Sequence, residues 1–334
     1  MSRISLDHPL ARGRTADVHE WEAGHILKLF HNWFSLEDIE YEQKIARAVH
    51  ASGVKSPAVG DLVQVEGRNG LVYERVEGVS MLEMFQQKPW RVIQLGRTLA
   101  ELHAQMHECV FDVDVPLQRK KLQHKIKSAN ALPVYLKPKL LDVLESLPDG
   151  DRVCHGDFHP ANVLMNGDDA TVIDWIDASR GSPLADVART SIITLGAVAS
   201  SQIPQLVLKV FVRVFHSAYL KHYFRLRPGG EDEYRRWLPI VAGARLNENI
   251  PELEKWLTKH GKHEADAVQE PGHGGLVEDP RQNGGAEVRL RRRHRLGVHE
   301  AGDELARRRI GGAVGAVDEQ HGERHADGRH QGAD

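Results

Sequence analysis

Asp157, Asn162 and Asp174 are the residues of this chain whose types and spacing can do chemistry together. The first two lie in Val153-Cys154-His155-Gly156-Asp157-Phe158-His159-Pro160-Ala161-Asn162-Val163-Leu164. The third follows Asn162 by twelve positions, in Thr171-Val172-Ile173-Asp174-Trp175. Carboxylate and amide oxygens are hard ligands. Magnesium prefers them, and usually takes one or two carboxylates together with substrate phosphates. Phosphoryl transfer needs that cation on the nucleotide and a further group to position the attacking hydroxyl. An Asp, an Asn five residues on and an Asp closing an apolar strand supply all three. Each residue alone is an ordinary turn former; the combination makes the site. His155, Asp157 and His159 also fit a transition-metal centre, but no further His or carboxylate follows at the spacing such a centre needs. Cys154 reads as a small buried apolar residue rather than a nucleophile.

Two unequal parts of the chain have to hold these residues. Ser5 to Glu20 reads as strand broken by Gly13, with a turn at Glu22-Ala23-Gly24 and a second strand, His25-Ile26-Leu27-Lys28-Leu29-Phe30. Ser35, with Asp38 three residues on, is an N-cap signal for a helix from Leu36 to about His50. Val63–Val65 and Leu71–Tyr73 pair as a hairpin turning within Gly67 to Gly70. After Gly78 the pattern is helical. Pro89 opens a long helix through Glu108, with Val92, Leu95, Leu99, Leu102 and Met106 at helical spacing. Another helix covers 137–147, a short strand runs from Ala170 to Trp175, and 184–259 is mostly helical. His103 and His107, one turn apart on one helix and without acidic partners there, read as surface or packing residues rather than metal ligands. The expected class is α+β: a small strand-rich lobe over 1–77 and a larger helical lobe over 78–262.

Composition limits the partners. The 334 residues carry 44 basic and 47 acidic side chains, a net charge of −3, which argues against general nucleic-acid or membrane-surface binding. No run approaches the roughly 20 apolar residues of a membrane span. The N-terminus lacks a signal-peptide core. Two cysteines, Cys109 and Cys154, rule out a disulfide framework and fit the cytoplasm. Composition breaks near residue 262: no lysine follows Lys262 and no aromatic residue follows Trp256. The segment 263–334 reads as a solvated, disordered, low-complexity tail, and its Arg/Gly/His/Ala bias also looks like GC-rich sequence translated in a shifted frame. Its cluster Arg289, Arg291, Arg292, Arg293 and Arg295 is the one feature that points to nucleic acid.

The stretch His155-Gly156-Asp157-Phe158-His159-Pro160-Ala161-Asn162-Val163-Leu164, with Val172-Ile173-Asp174-Trp175, resembles the catalytic loop and metal strand of the aminoglycoside phosphotransferases, in the wider group with choline kinases. Protein kinases have H-R-D-x-x-x-x-N and D-F-G in these places. Gly156 in place of Arg, and Trp175 after the second Asp, point to the small-molecule branch. The resemblance implies a bilobal protein-kinase-like fold with an antiparallel N-terminal sheet and one main helix. It implies that Asp157 orients the acceptor hydroxyl or takes its proton, that Asn162 and Asp174 bind Mg²⁺, and that His155 braces the loop. Gly181-Ser182-Pro183-Leu184-Ala185-Asp186-Val187-Ala188 resembles a further family segment whose Asp186 is structural. Lys28 resembles the phosphate-contacting lysine of the third strand, Glu42 its ion-pair partner, and Glu74-Arg75-Val76-Glu77-Gly78 the hinge, where backbone near Glu74 and Val76 meets the nucleotide base. Arg12-Gly13-Arg14-Thr15-Ala16-Asp17-Val18 departs from a glycine-rich phosphate loop; backbone N–H groups and Thr15 remain to touch phosphate.

The implied activity is a phosphotransferase with an alcohol acceptor, moving the γ-phosphate of ATP (or GTP) to a small, cationic molecule such as an aminoglycoside. An acidic acceptor pocket would follow, with Glu231-Asp232-Glu233, Glu248, Glu252, Glu254 and Asp177 as candidates. Choline, ethanolamine or another metabolite is an alternative acceptor. A non-catalytic nucleotide-binding module and a tail that binds nucleic acid are the alternatives of other classes.

Overall fold

The structure is a computed structural model that describes residue 6 and residues 8–22, 24–198 and 205–269. A five-stranded antiparallel sheet comes first: β1 (Ala11–Arg12), β2 (Ala16–Glu20), β3 (His25–Phe30), β4 (Val59–Val65) and β5 (Arg68–Glu74), in spatial order β1-β2-β3-β5-β4. β3 is central, which fixes Lys28 between Val18 and Leu71. The side-chain period of two puts Lys28 on the same face as Phe30, whose ring lies 5.5 Å from the ammonium. Helix α1 (Leu36–Ala51) links β3 to β4. Its start is set as the sequence predicts: Ser35 accepts the Asp38 N–H at 3.1 Å, and Glu37 and Asp38 in the first turn favour the helix dipole. Ile39, Ile45 and Val49 form its fully buried face.

The hairpin β4–β5 turns earlier than predicted. Glu66 (φ 50°) and Gly67 (φ 79°) are its two central residues, and the strand resumes at Arg68. Two successive positive φ values match the right-handed twist of paired strands, so the tightest turn wins over a longer glycine loop.

Helices make up most of the second lobe: α2 (Met81–Gln87), α3 (Val92–Met106), α4 (Gln118–Ser128), α5 (Leu136–Ser146), α6 (Pro183–Gly196), α7 (Gln205–Leu226), α8 (Glu231–Arg245) and α9 (Pro251–Gln269). Pro89 starts a 3-10 turn, Pro89–Arg91, and α3 itself begins at Val92. Helix α4 has no counterpart in the sequence expectation. Helix α9 continues to Gln269, past the expected tail boundary at 262; the arginine cluster and the rest of the tail from residue 270 lie outside the described residues. Two small sheets carry the loops between helices: β6 (Val79–Ser80), β8 (Val163–Asn166) and β9 (Asp169–Val172) in one, β7 (Arg152–Cys154) and β10 (Ser179–Gly181) in the other. The main core runs from Ile45 and Val49 of α1 through Leu95, Leu99, Phe158, Tyr219 and Trp237. Helix α1 packs both ways: Ile39 joins Ala16, Phe30 and Leu71 of the N-terminal sheet, and Ile45 and Val49 join the helical core. No described helix is long and apolar enough to cross a membrane.

Candidate active site

Strand β7 ends at Cys154, and the chain turns at once into the loop that carries Asp157. Gly156 makes that turn. It has φ +81°, and a Cβ there would lie 2.6 Å from the Asp177 carbonyl oxygen. A side chain is therefore excluded by contact as well as by backbone conformation, which accounts for the glycine between His155 and Asp157. The loop then closes in the 3-10 turn Pro160–Asn162, where His159 Nδ1 accepts the Ala161 N–H at 3.3 Å.

Hydrogen bonds bring the three predicted residues to one place. Asn162 Nδ2 donates to the Asp157 carbonyl at 2.9 Å. The Ile173 N–H donates to the Asn162 carbonyl at 3.0 Å, which draws Asp174 alongside. Asp174 lies past the end of β9 with φ 63°, a left-handed backbone that is strained for a residue other than glycine. Its Oδ1 is 3.7 Å from Lys28 Nζ, so the N-terminal sheet meets the loop at this pair. Lys28 donates to Glu42 Oε1 at 2.7 Å, and the Tyr73 hydroxyl donates to the same oxygen at 2.9 Å. Burial works against the Lys28 charge, but Asp174 and Glu42 outweigh it and raise its pKa.

Two further expected contacts are shaped by backbone. The Glu74 N–H donates to the Ala58 carbonyl at 2.9 Å, and the Glu74 carboxylate accepts the Ala58 N–H at 3.1 Å. The hairpin at Gly13 to Thr15 is tight: the Gly13 N–H donates to the Ala16 carbonyl at 2.9 Å, and the Thr15 carbonyl accepts the His31 N–H at 2.9 Å.

Asp157 has partners the sequence reading missed. Arg189 on α6 donates to its Oδ1 at 3.2 Å and to the Gly156 carbonyl at 3.1 Å, and pairs with Glu248 at 2.6 Å. His159 Nε2 lies 3.4 Å from Asp157 Oδ2. Burial would raise the Asp157 carboxyl pKa. The hydrogen bond and charge of His159 and the guanidinium of Arg189 more than reverse that, holding it well below the usual carboxylate range. Asp157 is thus a permanently ionised group at neutral pH.

Asp186, one helical turn before Arg189, holds the loop from behind. Its two oxygens accept the His155 N–H at 2.6 Å and the Gly156 N–H at 2.9 Å. His155 completes the brace: its Nε2 is 3.0 Å from the Ile173 carbonyl, and its Nδ1 accepts the Asp157 N–H at 3.2 Å. His103 and His107 are not surface residues. Both are fully buried, with Nε2 atoms 3.1 and 3.5 Å from Asp186 Oδ2. Their Nδ1 atoms lie 2.7 and 2.8 Å from the Tyr219 and Tyr223 hydroxyls on α7. The acidic partner absent from their own helix arrives from α6. With Asp186 ionised, His103 Nε2 carries the proton toward it and His103 Nδ1 accepts from the Tyr219 hydroxyl.

The acidic acceptor wall does not form as predicted. Glu248 is taken by Arg189 and lies 3.4 Å from Arg245. Asp177 is flanked by Lys121 at 3.3 Å and Lys125 at 3.7 Å, both from α4. Glu233 accepts from Trp237 Nε1 at 3.1 Å, and Glu231, Asp232, Glu252 and Glu254 are exposed.

Neutral buried histidines make stability depend on pH. Burial, followed by the neighbouring His103, pushes His107 down to about 3; burial also lowers His103. The unfolded chain takes these protons near pH 6.5, so stability is complete above that pH and falls as the pH drops toward the folded values. Between pH 7.5 and pH 5 His107 alone is expected to remove about 2 kcal/mol. Thermal unfolding at the two pH values checks this, and unchanged melting would show that the imidazoles are not held neutral.

A model of the phosphotransferase enzyme family matches residues 9–228. No curated protein matches the chain. Among solved structures, the apo form of a thermostable mutant of aminoglycoside phosphotransferase APH(4)-Ia aligns with a TM-score of 0.53 and 16% identity, over 80% of this chain and 96% of that one. Amicoumacin kinase hAmiN in complex with AMP-PNP, Ca²⁺ and Ami aligns with a TM-score of 0.55 and 20% identity, over 78% and 88%. A choline/ethanolamine kinase family protein from Mesorhizobium loti gives 0.50 and 17%, over 79% and 88%. At these identities the likeness is one of fold, and the fold is α+β, bilobal and kinase-like, as the sequence implies.

Proposed function

The chain belongs to the phosphotransferase enzyme family, and from that premise we propose that it transfers the γ-phosphoryl group of ATP, or of GTP, to a hydroxyl of a small molecule. The observation that carries this reading is the continuous set of contacts Glu42–Lys28–Asp174 and Ile173–Asn162–Asp157, which gathers a cation, two carboxylates and an amide at one cleft. The lobes divide at residues 77 and 78, and the nucleotide lies between them. Lys28, held by Glu42, grips phosphate oxygens. The hinge offers the Glu74 carbonyl and the Val76 N–H to the base, since the Glu74 N–H is already bonded to Ala58.

The donor set suits magnesium. Asn162 uses its amide nitrogen on Asp157, which leaves Oδ1 as its ligating atom, and the Asp174 carboxylate is about half exposed (47%). Such oxygens together with phosphate are what Mg²⁺ takes. Bound there by Asn162 and Asp174, the ion would neutralise phosphate charge. Asp157 accepts the acceptor's hydroxyl proton as the oxygen attacks the γ-phosphorus. One P–O bond forms, the bond from the γ-phosphorus to the β–γ bridging oxygen breaks, and the nucleoside diphosphate leaves with that electron pair. Positioning and fixed charge supply most of the acceleration. The two cysteines are unpaired, in keeping with a cytoplasmic setting.

Asp174→Ala is expected to lower nucleotide affinity by about 10-fold or more when Mg²⁺ is present and to change it little when the metal is absent. Titration calorimetry with and without the metal reads this directly; an equal loss in both conditions removes Asp174 as a ligand. A second reading, a nucleotide-binding module without turnover, is favoured by the tight Gly13 hairpin, whose first N–H is spent on Ala16. Measuring nucleoside diphosphate release with and without acceptor alcohols separates the two.

A further inference from the structure

Behind the catalytic loop, bordered by Gly156 and by Arg189, which donates to Asp157, lies a cavity of about 40 Å³. Helix α4 forms one wall with Lys121, Leu122 and Lys125; α6 contributes Arg189 and α8 contributes Arg245. On the same scale a single water needs about 10–15 Å³, and pockets for drug-sized ligands run to about 300 Å³ or more. The cavity therefore has room for one compact group and none for an aminosugar ring. Its charge is unlike that expected around a cationic acceptor. Asp177 is one carboxylate shared by two ammonium groups, Lys121 and Lys125, each about a quarter exposed (25% and 27%). Arg189 divides itself between Asp157 and Glu248. Asp186 also borders the cavity, but N–H donors from His155, Gly156 and His103 surround its charge. Burial draws the Lys121 ammonium pKa down, and Lys125 and Arg189 add to that against the pull of Asp177. Helix α4 as a whole, QRKKLQHKIKS, has five Lys or Arg residues and no acid, in a chain whose net charge is −3.

Resting on the phosphotransferase reading, we infer that the acceptor alcohol carries a compact oxyanion, a carboxylate or a phosphate, which seats against Lys121 and Lys125 while its hydroxyl reaches Asp157. Lys121 also donates to the Asp177 backbone carbonyl at 2.8 Å, whereas Lys125, 3.7 Å from the carboxylate, keeps most of its donor capacity for a second anion. Gly156, the residue before Asp157, and Arg189, bonded to the Asp157 carboxylate, both border the cavity, so an anion seated there is next to the group that meets the hydroxyl. The transfer is the one already written: the acceptor O–H attacks the γ-phosphorus, Asp157 takes the proton, and the nucleoside diphosphate departs. The anion itself stays unchanged.

The test measures phosphotransfer by the full-length protein with ATP and Mg²⁺ against matched alcohols. Glycerate, gluconate and glycerol 3-phosphate are the oxyanions, glycerol is neutral, and choline, ethanolamine and hygromycin B are cations. At least one oxyanion is expected to exceed glycerol and the cations by 10-fold or more in kcat/KM, and the glycerate and glycerol 3-phosphate arms tell carboxylate from phosphate. Lys121→Gln with Lys125→Gln should raise KM for that oxyanion at least 10-fold, with a much smaller effect on kcat, and arginine at both positions should restore it. Lys125→Gln alone, at the more exposed position, keeps the test usable if the double variant unfolds. Preference for glycerol or a cation, no turnover of any oxyanion, or an unmoved KM in the variants overturns the inference. In each of those cases nucleotide binding and turnover of another alcohol leave the phosphotransferase reading standing. Absence of AMP-PNP binding in titration calorimetry removes that reading, and the inference with it.

Discussion

Asp157→Asn is expected to bind nucleotide as the parent protein does and to lose turnover by about 10²- to 10⁴-fold. The substitution keeps size and shape. The asparagine oxygen still accepts from Arg189, which stays paired with Glu248 at 2.6 Å, so the guanidinium has no reason to move. What disappears is the negative charge of the carboxylate that the proposed mechanism sets against the acceptor hydroxyl. In that mechanism Lys28 and the metal ligands hold the nucleotide, so its affinity is a control within the same protein. Comparing single-turnover rates at saturating nucleotide with AMP-PNP titrations separates the two quantities. Full turnover in Asp157→Asn would show that another group handles the hydroxyl, and a parallel loss of nucleotide affinity would show that the loop had collapsed.

Asp186→Ala is expected to destabilise the fold by about 3–5 kcal/mol, because it strips the partner from buried polar groups without giving them water. Three N–H groups donate to that carboxylate, two backbone amides at 2.6 and 2.9 Å and the His103 imidazole at 3.1 Å, and His107 Nε2 lies 3.5 Å away. Water does not replace the carboxylate, since Asp186, His103, His107 and His155 are all 0% exposed. In a chain of this size the loss corresponds to a fall in melting temperature of about 10 °C. Asp186→Asn keeps one acceptor oxygen and should lie between the alanine variant and the parent. Calorimetric melts of the three proteins give the ordering, and an alanine variant that melts with the parent would mean that Asp186 is not the support of the loop.

Much of the arrangement can be read from local sequence. Asp157 and Asn162 sit in one short loop, and Asp174 follows a hairpin of a few residues, so their proximity needs little tertiary information. Lys28 and Glu42 are also close in sequence: a six-residue strand and the capped start of α1 orient them, and Ser35 announces that start. Arg189 was missed, and Glu248 was given another role, for the opposite reason. Their pairing depends on how α6 lies against the 3-10 turn after α8, and nothing in either segment's periodicity encodes that. The histidines show the limit of reading one helix at a time. The spacing of His103 and His107 says that they share a face, whereas their role follows from Asp186 more than 75 positions later. The expected acidic wall failed in a related way: Glu248 and Asp177 are acidic, but their partners, Arg189 and the lysines of α4, cancel them across space. Helix α4 itself escaped notice because QRKKLQHKIKS has too few apolar residues to announce an amphipathic period.

Helix α6 holds the start of the loop twice, through Asp186 on His155 and Gly156 and through Arg189 on Gly156 and Asp157, and Ser191 of the same helix accepts from the Tyr234 hydroxyl of α8 at 2.9 Å. A helix moves as a stiff unit, so repacking around Tyr234 is expected to displace the two side chains that hold the loop. Tyr234→Phe is therefore expected to slow phosphotransfer more than it lowers the melting temperature, which parallel rate and melting measurements read.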